Sequence, residues 1–134
     1  MAAEGLTTIR SRHGPKDTMN RLETAVTAKG LTVFARIDHA AGAAAVGLSL
    51  RPTGVLIFGN ARGGTLLMQE AQTVGIDLPL KALVWEDASS ITWLSYNDPG
   101  WVAQRHGLGH EADATASALA AALESIAKTA VAPQ

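Results

Sequence analysis

Alternating apolar and polar residues along the chain predict β-strands. In Leu31–Asp38 every second residue is apolar, which is the period of a strand with one buried face. Leu6–Ser11 is predicted to be a first strand, and the unbroken apolar run Val55–Phe58 is typical of a central strand covered on both sides. The segments Leu78–Trp85 and Ile91–Tyr96 are separated by a short polar link, so they predict an antiparallel hairpin.

Apolar residues at intervals of three and four predict the helices. A first helix is expected to begin at Pro15, where the missing N–H of proline is harmless, and to end at Gly30. A second is predicted to follow Thr65, a good N-cap residue, and a short one to cover Gly100–His106. Asp113 is expected to cap a long helix. Its core-facing stripe is formed by Leu119, Leu123, Ile126 and Ala130.

The segments between these elements are rich in small residues. His39–Gly47 contains mainly alanine and glycine, and its pattern leaves a short helix and a loop as alternatives. Leu48–Leu50 is a candidate short strand. Gly59–Gly64 is predicted to be the most flexible segment of the chain because of its glycines.

The order of these elements predicts one domain of the α+β class over residues 1–134. We expect a two-layer sandwich in which the helices pack mainly on one face of a mixed or antiparallel sheet. Two interpretations are open for the opposite face of the sheet. Either a homodimer covers it, or polar residues leave it in contact with water.

Composition narrows the classes of function. The 134 residues have a net charge of −1, which is too weak a field for a generic nucleic-acid binder. There is no cysteine, so disulfides, thiolate zinc sites and thiol catalysis are excluded. No apolar run approaches the ~20 residues of a membrane span, and the first residues lack the apolar core of a secretory signal. We therefore expect a cytoplasmic protein with neither a membrane nor a nucleic-acid partner.

Several short motifs resemble one known family. In chain order they are PTGVLIFGN at 52–60, GT at 64–65, DLPLKALVWED at 77–87, YNDP at 96–99 and RH at 105–106. Together they resemble the DUF302 family, a domain of unknown function with the TT1751-like fold. The resemblance covers nearly the whole chain and implies an α+β domain, typically bacterial or archaeal, that forms dimers. It implies no established reaction, and it leaves open whether there is a cofactor. Ala61 departs from the family pattern, which commonly has proline there.

The glycine-rich segment after the third predicted strand is a candidate ligand site. A strand, a glycine loop and a helix N-terminus together form a geometry that binds anions through backbone N–H groups. Arg62 could add a guanidinium for a phosphate or carboxylate, and the site would comprise Asn60, Arg62, Gly63, Gly64 and Thr65. The alternative is that the glycines only allow a tight turn and that Thr65 only caps the helix.

A carboxylate and a histidine form a candidate acid/base pair. Glu86 is predicted to point to the same face as apolar strand residues, where a carboxyl group can acquire a raised pKa. Histidine is the side chain suited to proton transfer near neutral pH, so His106 could be its partner, with Asp98 as an alternative acid. In the other interpretation, Glu86 and Asp87 lie in solvent at the hairpin turn. The sequence does not decide whether the protein is an enzyme.

Histidines and tryptophans supply two further hypotheses. His39 and His106 could converge to hold a metal ion or a haem, because neutral imidazole is a common metal ligand. Trp85 and Trp93 are predicted to be cross-strand neighbours that line a site for a planar ligand, or that belong to the core or a dimer interface. The leading hypothesis is a homodimeric domain that binds a small or anionic ligand. The alternative is a purely structural interaction module, in which the motif only holds the dimer together.

Overall fold

Five strands form one antiparallel sheet in the computed structural model, which describes residues 3–133. Along the chain the strands are β1 Leu6–Arg10, β2 Thr32–Asp38, β3 Thr53–Gly59, β4 Leu80–Glu86 and β5 Thr92–Asn97. Their order across the sheet is β1-β5-β4-β3-β2, and each neighbouring pair is antiparallel. The α+β class and the hairpin between β4 and β5 are therefore confirmed.

The helices lie between and after the strands. They are α1 Pro15–Ala28, α2 His39–Ala45, α3 Ala61–Glu70, α4 Pro99–Arg105 and α5 Asp113–Val131. Two 3₁₀ turns, Gln72–Asp77 and His110–Ala112, precede β4 and α5. As predicted, Pro15 opens α1. The predicted cap of α5 is wrong, because Ala112 is at the N-cap position and Asp113 is the first residue of the helix, with no side-chain cap hydrogen bond.

Three local predictions need correction or completion. The ambiguous alanine-rich segment is the helix α2, whose first turn is capped by Asp38 through a hydrogen bond from the Ala41 N–H (2.9 Å). Leu48–Leu50 forms no strand. β3 is buried on one face only. Leu56 and Phe58 are fully buried, whereas Val55 and Ile57, which alternate with them along the strand, remain half-exposed.

The main core lies between the sheet and the pair α1 and α5. From the helices it takes Leu22, Val26, Leu123 and Ile126, each at most 2% exposed. The strands contribute Leu56, Phe58, Ala82, Val84 and Leu94. Within residues 3–133, all the buried apolar strand residues point to this helix-covered face, because the strand register aligns them. The prediction that helices cover mainly one face is confirmed.

Arg21 links α1 to the end of α5 through hydrogen bonds. Its guanidinium donates hydrogen bonds to the carbonyl oxygens of Ala130, Thr129 and Ala132 at 3.2, 3.2 and 3.3 Å. The last carbonyls of a helix have no partner within the helix, so a cation at this position both satisfies them and opposes the helix dipole.

A second, smaller core lies beside α5 and joins α3, the 3₁₀ turns and α4. Leu67, Val74, Val102 and Ala112 are buried in it, and Trp101 packs against its edge. The indole of Trp101 also lies directly against Gly5, which has a φ of +75°. The chain before β1 is therefore held to α4 by a contact that leaves no room for a side chain.

Replacing Gly5 tests this contact. Gly5→Ala is expected to lower the free energy of unfolding by clearly more than the ~1–2 kcal/mol of a left-handed alanine, because its methyl group would overlap the Trp101 ring. Gly30→Ala is the matched control, since Gly30 has a φ of +77° but nothing within 4 Å of the added carbon. Urea unfolding followed by circular dichroism measures both, and equal losses would contradict the close contact.

Candidate functional site

The segment predicted as a glycine loop is the first part of a helix. α3 begins at Ala61, and Asn60 is its N-cap, because the Asn60 side-chain oxygen accepts hydrogen bonds from the N–H groups of Arg62 (2.9 Å) and Gly63 (3.3 Å). The predicted cap at Thr65 is therefore wrong, since Thr65 lies inside the helix. Glycine is a poor helix former, but a strong cap and tertiary contacts outweigh that preference here.

This capping changes what the helix N-terminus can bind. The N–H groups of Arg62 and Gly63 would be the donors to a bound anion, and both already donate to Asn60. An anion would have to displace the Asn60 side chain before it could reach them. The geometry therefore favours a ligand held by shape and apolar contact over a bare anion held by backbone donors.

An open cavity of about 250 Å³ lies beside this helix start. Its walls are mainly apolar and come from β2, from the end of β3, from α3, from the chain entering β4 and from α5. The residues that carry the walls are Phe34, Met68, Leu78, Pro79, Leu80 and Leu119. Asn60, Gly64 and Thr65 of the predicted ligand set line it, whereas Arg62 and Gly63 do not.

Gly63 and Gly64 keep ordinary helical backbone, so no positive φ requires glycine at either position. The space around both positions admits the methyl group of alanine at ordinary contact distance. A carbon added at Gly63 would lie 3.5 Å from Leu119, and one added at Gly64 would lie 3.5 Å from Leu78 and 3.8 Å from Met68. Any side chain larger than alanine at Gly64 would therefore extend towards the walls of the cavity.

His106 lies elsewhere, in a cluster that the sequence did not indicate. Its Nε2 is 2.6 Å from Asp77 Oδ2, and its Nδ1 is 2.9 Å from the hydroxyl of Thr73. Arg105 donates to both oxygens of Asp77, at 2.9 and 2.8 Å, and lies over the ring of Trp101 at 6.0 Å. The His106 and Asp77 side chains are only 8% and 13% exposed.

The charge state of Asp77 follows from these contacts. Burial raises the pKa of Asp77, but the hydrogen bond from His106 and the positive charge of Arg105 outweigh that effect, and the pKa is lowered overall. The carboxylate is therefore ionised throughout the neutral range.

The proposed pairings of His106 with Glu86 and with His39 do not form. His106 contacts Asp77, which precedes the start of β4, whereas Glu86 is the last residue of that strand, about 20 Å away along its length. His39 is exposed and follows Asp38, whose register partner Gly54 pairs with Val84 near the same end as Glu86. Among the described residues, no group of three or more His, Asp or Glu side chains is placed to hold a metal ion.

The remaining predicted residues lie on or near the hairpin. Trp85 and Trp93 are cross-strand partners, as predicted, with ring centroids 6.2 Å apart and planes inclined by 28°. The Trp93 indole donates to Asp87 (2.9 Å), and this bond, together with the N–H groups of Ile91 and Ser89, lowers the pKa of Asp87. Asp98 is exposed at the start of α4 and makes no side-chain cap bond.

Thr73 and Asp77 are the functional candidates that sequence reasoning missed. They lie 33 and 29 residues from His106, and no local motif links such distant positions. Only the docking of α4 beside the 3₁₀ turn brings them together.

Comparison with known proteins fits this architecture. Residues 7–126 match the family described as "Domain of unknown function DUF302". The chain belongs to the DUF302 family. The crystal structure of an uncharacterized conserved DUF302 protein from Bacillus stearothermophilus superposes with a TM-score of 0.84 at 19% identity, over 96% of this chain and 99% of that one. At that identity the likeness is one of fold.

Relatives with a functional name are longer than this chain. A protein of Brucella suis biovar 1 (strain 1330) called "Fluoride-specific ion channel FluC 1" is 46% identical over 124 residues, which are 92% of this chain and 49% of that protein. A protein of the same name from Brucella abortus biovar 1 (strain 9-941) is also 46% identical, over 46% of its length. The DUF302 chain thus spans about half the length of these relatives. Within residues 3–133, no helix is long and apolar enough to cross a membrane.

Removing the Asp77 charge tests the cluster. Asp77→Asn is expected to lower the free energy of unfolding at pH 7 by about 1–2 kcal/mol, because the charged hydrogen bonds from His106 and Arg105 are weakened. The folded-state pKa is lowered, so this stabilisation is present above the ordinary carboxyl pKa of about 4 and is lost as the pH falls through the folded value. The difference between variant and wild type should therefore shrink from pH 7 to pH 3 in urea unfolding.

An exposed pair supplies the control for that measurement. His110 and Asp113 are 3.0 Å apart with both side chains largely in solvent, so Asp113→Asn should change stability by less than ~0.5 kcal/mol at either pH. A loss for Asp77→Asn that is the same at pH 7 and pH 3 would contradict the assigned ion pair.

Proposed function

We propose that this DUF302 chain is a homodimeric domain that binds a small, mainly apolar ligand in the cavity beside α3. The cavity between Phe34, Met68, Leu78 and Leu119 is the observation that carries the proposal. Its volume of about 250 Å³ suits a ligand somewhat smaller than a typical drug-sized molecule. The Asn60 and Thr65 side chains at its edge would contact a polar group of the ligand.

Gly64 of α3, which lines the cavity, supports this use of it. This glycine costs the helix roughly 0.5–1 kcal/mol relative to alanine, and its backbone conformation does not require it. A helix that gives up this stability and keeps an open cavity is consistent with a ligand that occupies the space.

Filling the cavity tests the ligand proposal. Octanoate and 1-octanol share one apolar chain and differ in head group, and either is expected to raise the melting temperature of the wild-type protein in a concentration-dependent way. Gly64→Leu should abolish that rise, because its side chain would occupy the space between Leu78 and Met68. Gly42→Leu is the control, since Gly42 lies in α2 with nothing within 4 Å. A rise that persists in Gly64→Leu, or no rise with either probe, would refute the proposal.

The same measurement of melting temperature against ligand concentration distinguishes a second candidate function from the first. The Brucella relatives are named fluoride channels, so a fluoride ion is the anion to compare with an equal concentration of chloride. A melting-temperature rise with sodium fluoride, and not with the other probes, would favour fluoride as the ligand. It would count against the apolar cavity as the binding site. The occupied donors at Arg62 and Gly63 argue against that result.

The face of the sheet that α1 and α5 leave free supports the homodimer. Val55, Ile57 and Leu83 are half-buried there, and Ile37 is 41% exposed. Trp85 and Trp93 stack on the same face. Lys81, the register partner of Ile57, lies on this face as well. A largely apolar face of this kind can pair with its own copy about a two-fold axis, as stacked sheets do at a spacing of ~10 Å.

A charge on that face should separate the two copies. The wild-type protein is expected to sediment at twice the 13.9 kDa mass of the chain, and Ile57→Glu should sediment as a monomer with its circular dichroism unchanged. Leu66→Glu on α3 is the control, because Leu66 is an apolar residue that is 41% exposed and lies away from the sheet. A wild-type monomer at tens of micromolar would refute the dimer.

A further inference from the structure

A hydroxyl, an imidazole and a carboxylate form a chain of hydrogen bonds outside the ligand cavity. Thr73 and Asp77 stand at the second and last positions of the 3₁₀ turn Gln72–Asp77, and His106 directly follows α4. The hydroxyl of Thr73 is 2.9 Å from His106 Nδ1, and Asp77 Oδ2 is 2.6 Å from His106 Nε2. None of the three residues lines the cavity beside α3.

The carboxylate decides which ring nitrogen of His106 carries the proton. An ionised Asp77 can only accept hydrogen bonds, so the neutral imidazole must donate from Nε2. Nδ1 then has a free lone pair and accepts the Thr73 hydroxyl proton. Arg105 donates to both oxygens of Asp77, and its guanidinium lies over the Trp101 ring, so these contacts hold the carboxylate in place beside His106.

We propose that Thr73 is a nucleophilic hydroxyl that accepts acyl groups from small esters or thioesters, with His106 as its general base. A nucleophile within hydrogen-bond reach of a base, and a third group that orients the base, is the arrangement that activates a hydroxyl. Asp77 is a positioning residue, because it acts on the hydroxyl only through His106. Thr73 is exposed, so an ester can reach it, while its neighbour Val74 is buried and anchors the turn.

The proposed step balances without a further reactant. The Thr73 oxygen bonds to the acyl carbon as its proton passes to His106 Nδ1. The bond from the acyl carbon to the leaving oxygen or sulfur then breaks, and His106 returns the proton to the leaving group. Water releases the acyl group by the reverse route, with its proton passing through His106 to the Thr73 oxygen.

The chain contains a natural comparison for this cluster. His110 and Asp113 form another imidazole–carboxylate pair, at 3.0 Å, but no hydroxyl is bonded to that histidine within residues 3–133, and the pair is exposed. Thr24 offers a hydroxyl that is not bonded to a histidine, because its O–H group donates to the Asn20 carbonyl (3.0 Å). Background reaction of exposed histidines and hydroxyls can therefore be measured in the same molecule.

p-Nitrophenyl acetate is a direct probe of the hydroxyl. We expect a burst of nitrophenolate and one acetyl group on Thr73, located by peptide mass spectrometry, with Thr24 unlabelled. Thr73→Val should remove that label and Thr73→Ser should retain it. His106→Gln should slow Thr73 acetylation by at least tenfold, whereas His110→Gln should leave its rate unchanged. Circular dichroism and melting temperature confirm that each variant is folded.

The position of Asp77 is tested by conservative exchange. Asp77→Asn should slow acetylation of Thr73 severalfold in a protein that is still folded, and Asp77→Glu should restore part of the rate, which loss of fold alone would not do. Acetyl groups found on lysines but not on Thr73 would overturn the proposal. So would acetylation of Thr73 at the wild-type rate in His106→Gln. Neither result bears on ligand binding beside α3, which is measured by the octanoate titration.

Discussion

Leu22 and Val26 of α1 share one buried cluster with Leu123 and Ile126 of α5, and this packing covers one face of the sheet. Full burial of a side chain of this size contributes roughly 1.5–3 kcal/mol, so four such residues outweigh any single polar contact in the molecule. The packing is one-sided because both helices lie on the same face of the sheet. Side chains alternate between the two faces of each strand, so the residues between the buried ones point to the second face, where several apolar side chains remain half-exposed.

Both candidate sites belong to the smaller core beside α5. Leu67 of α3 and Val102 of α4 are buried there together with Val74 of the 3₁₀ turn. Leu119 of α5 packs against this smaller core and forms one wall of the cavity. The turn that carries Thr73 and Asp77 continues through Leu78 into the opposite wall of that cavity. A change in the docking of the turn would therefore reach both sites, although they share no side chain.

Most of the fold follows from local pattern, and most of the site does not. The stripe of α5, the proline that opens α1 and the hairpin are visible in the sequence because each depends on neighbouring residues. The start of α3 is not evident from the sequence because its glycines indicate a flexible segment, although asparagine at position 60 is a common helix N-cap. The pairing of His106 with Asp77 has no local signal, since it depends on how α4 docks.

Gly63 and Gly64 affect both how the start of α3 appears in the sequence and how the helix packs beside the cavity. In a solvent-exposed helix they would be replaced by better helix formers without consequence, since nothing in their backbone requires them. Here a carbon added at Gly63 would make ordinary contact with Leu119, and one added at Gly64 would make ordinary contact with Leu78, so only alanine fits without rearrangement. Larger residues would either push α3 away from the smaller core or close the cavity. The same two positions that obscure the helix in the sequence therefore determine how closely its start approaches the cavity wall.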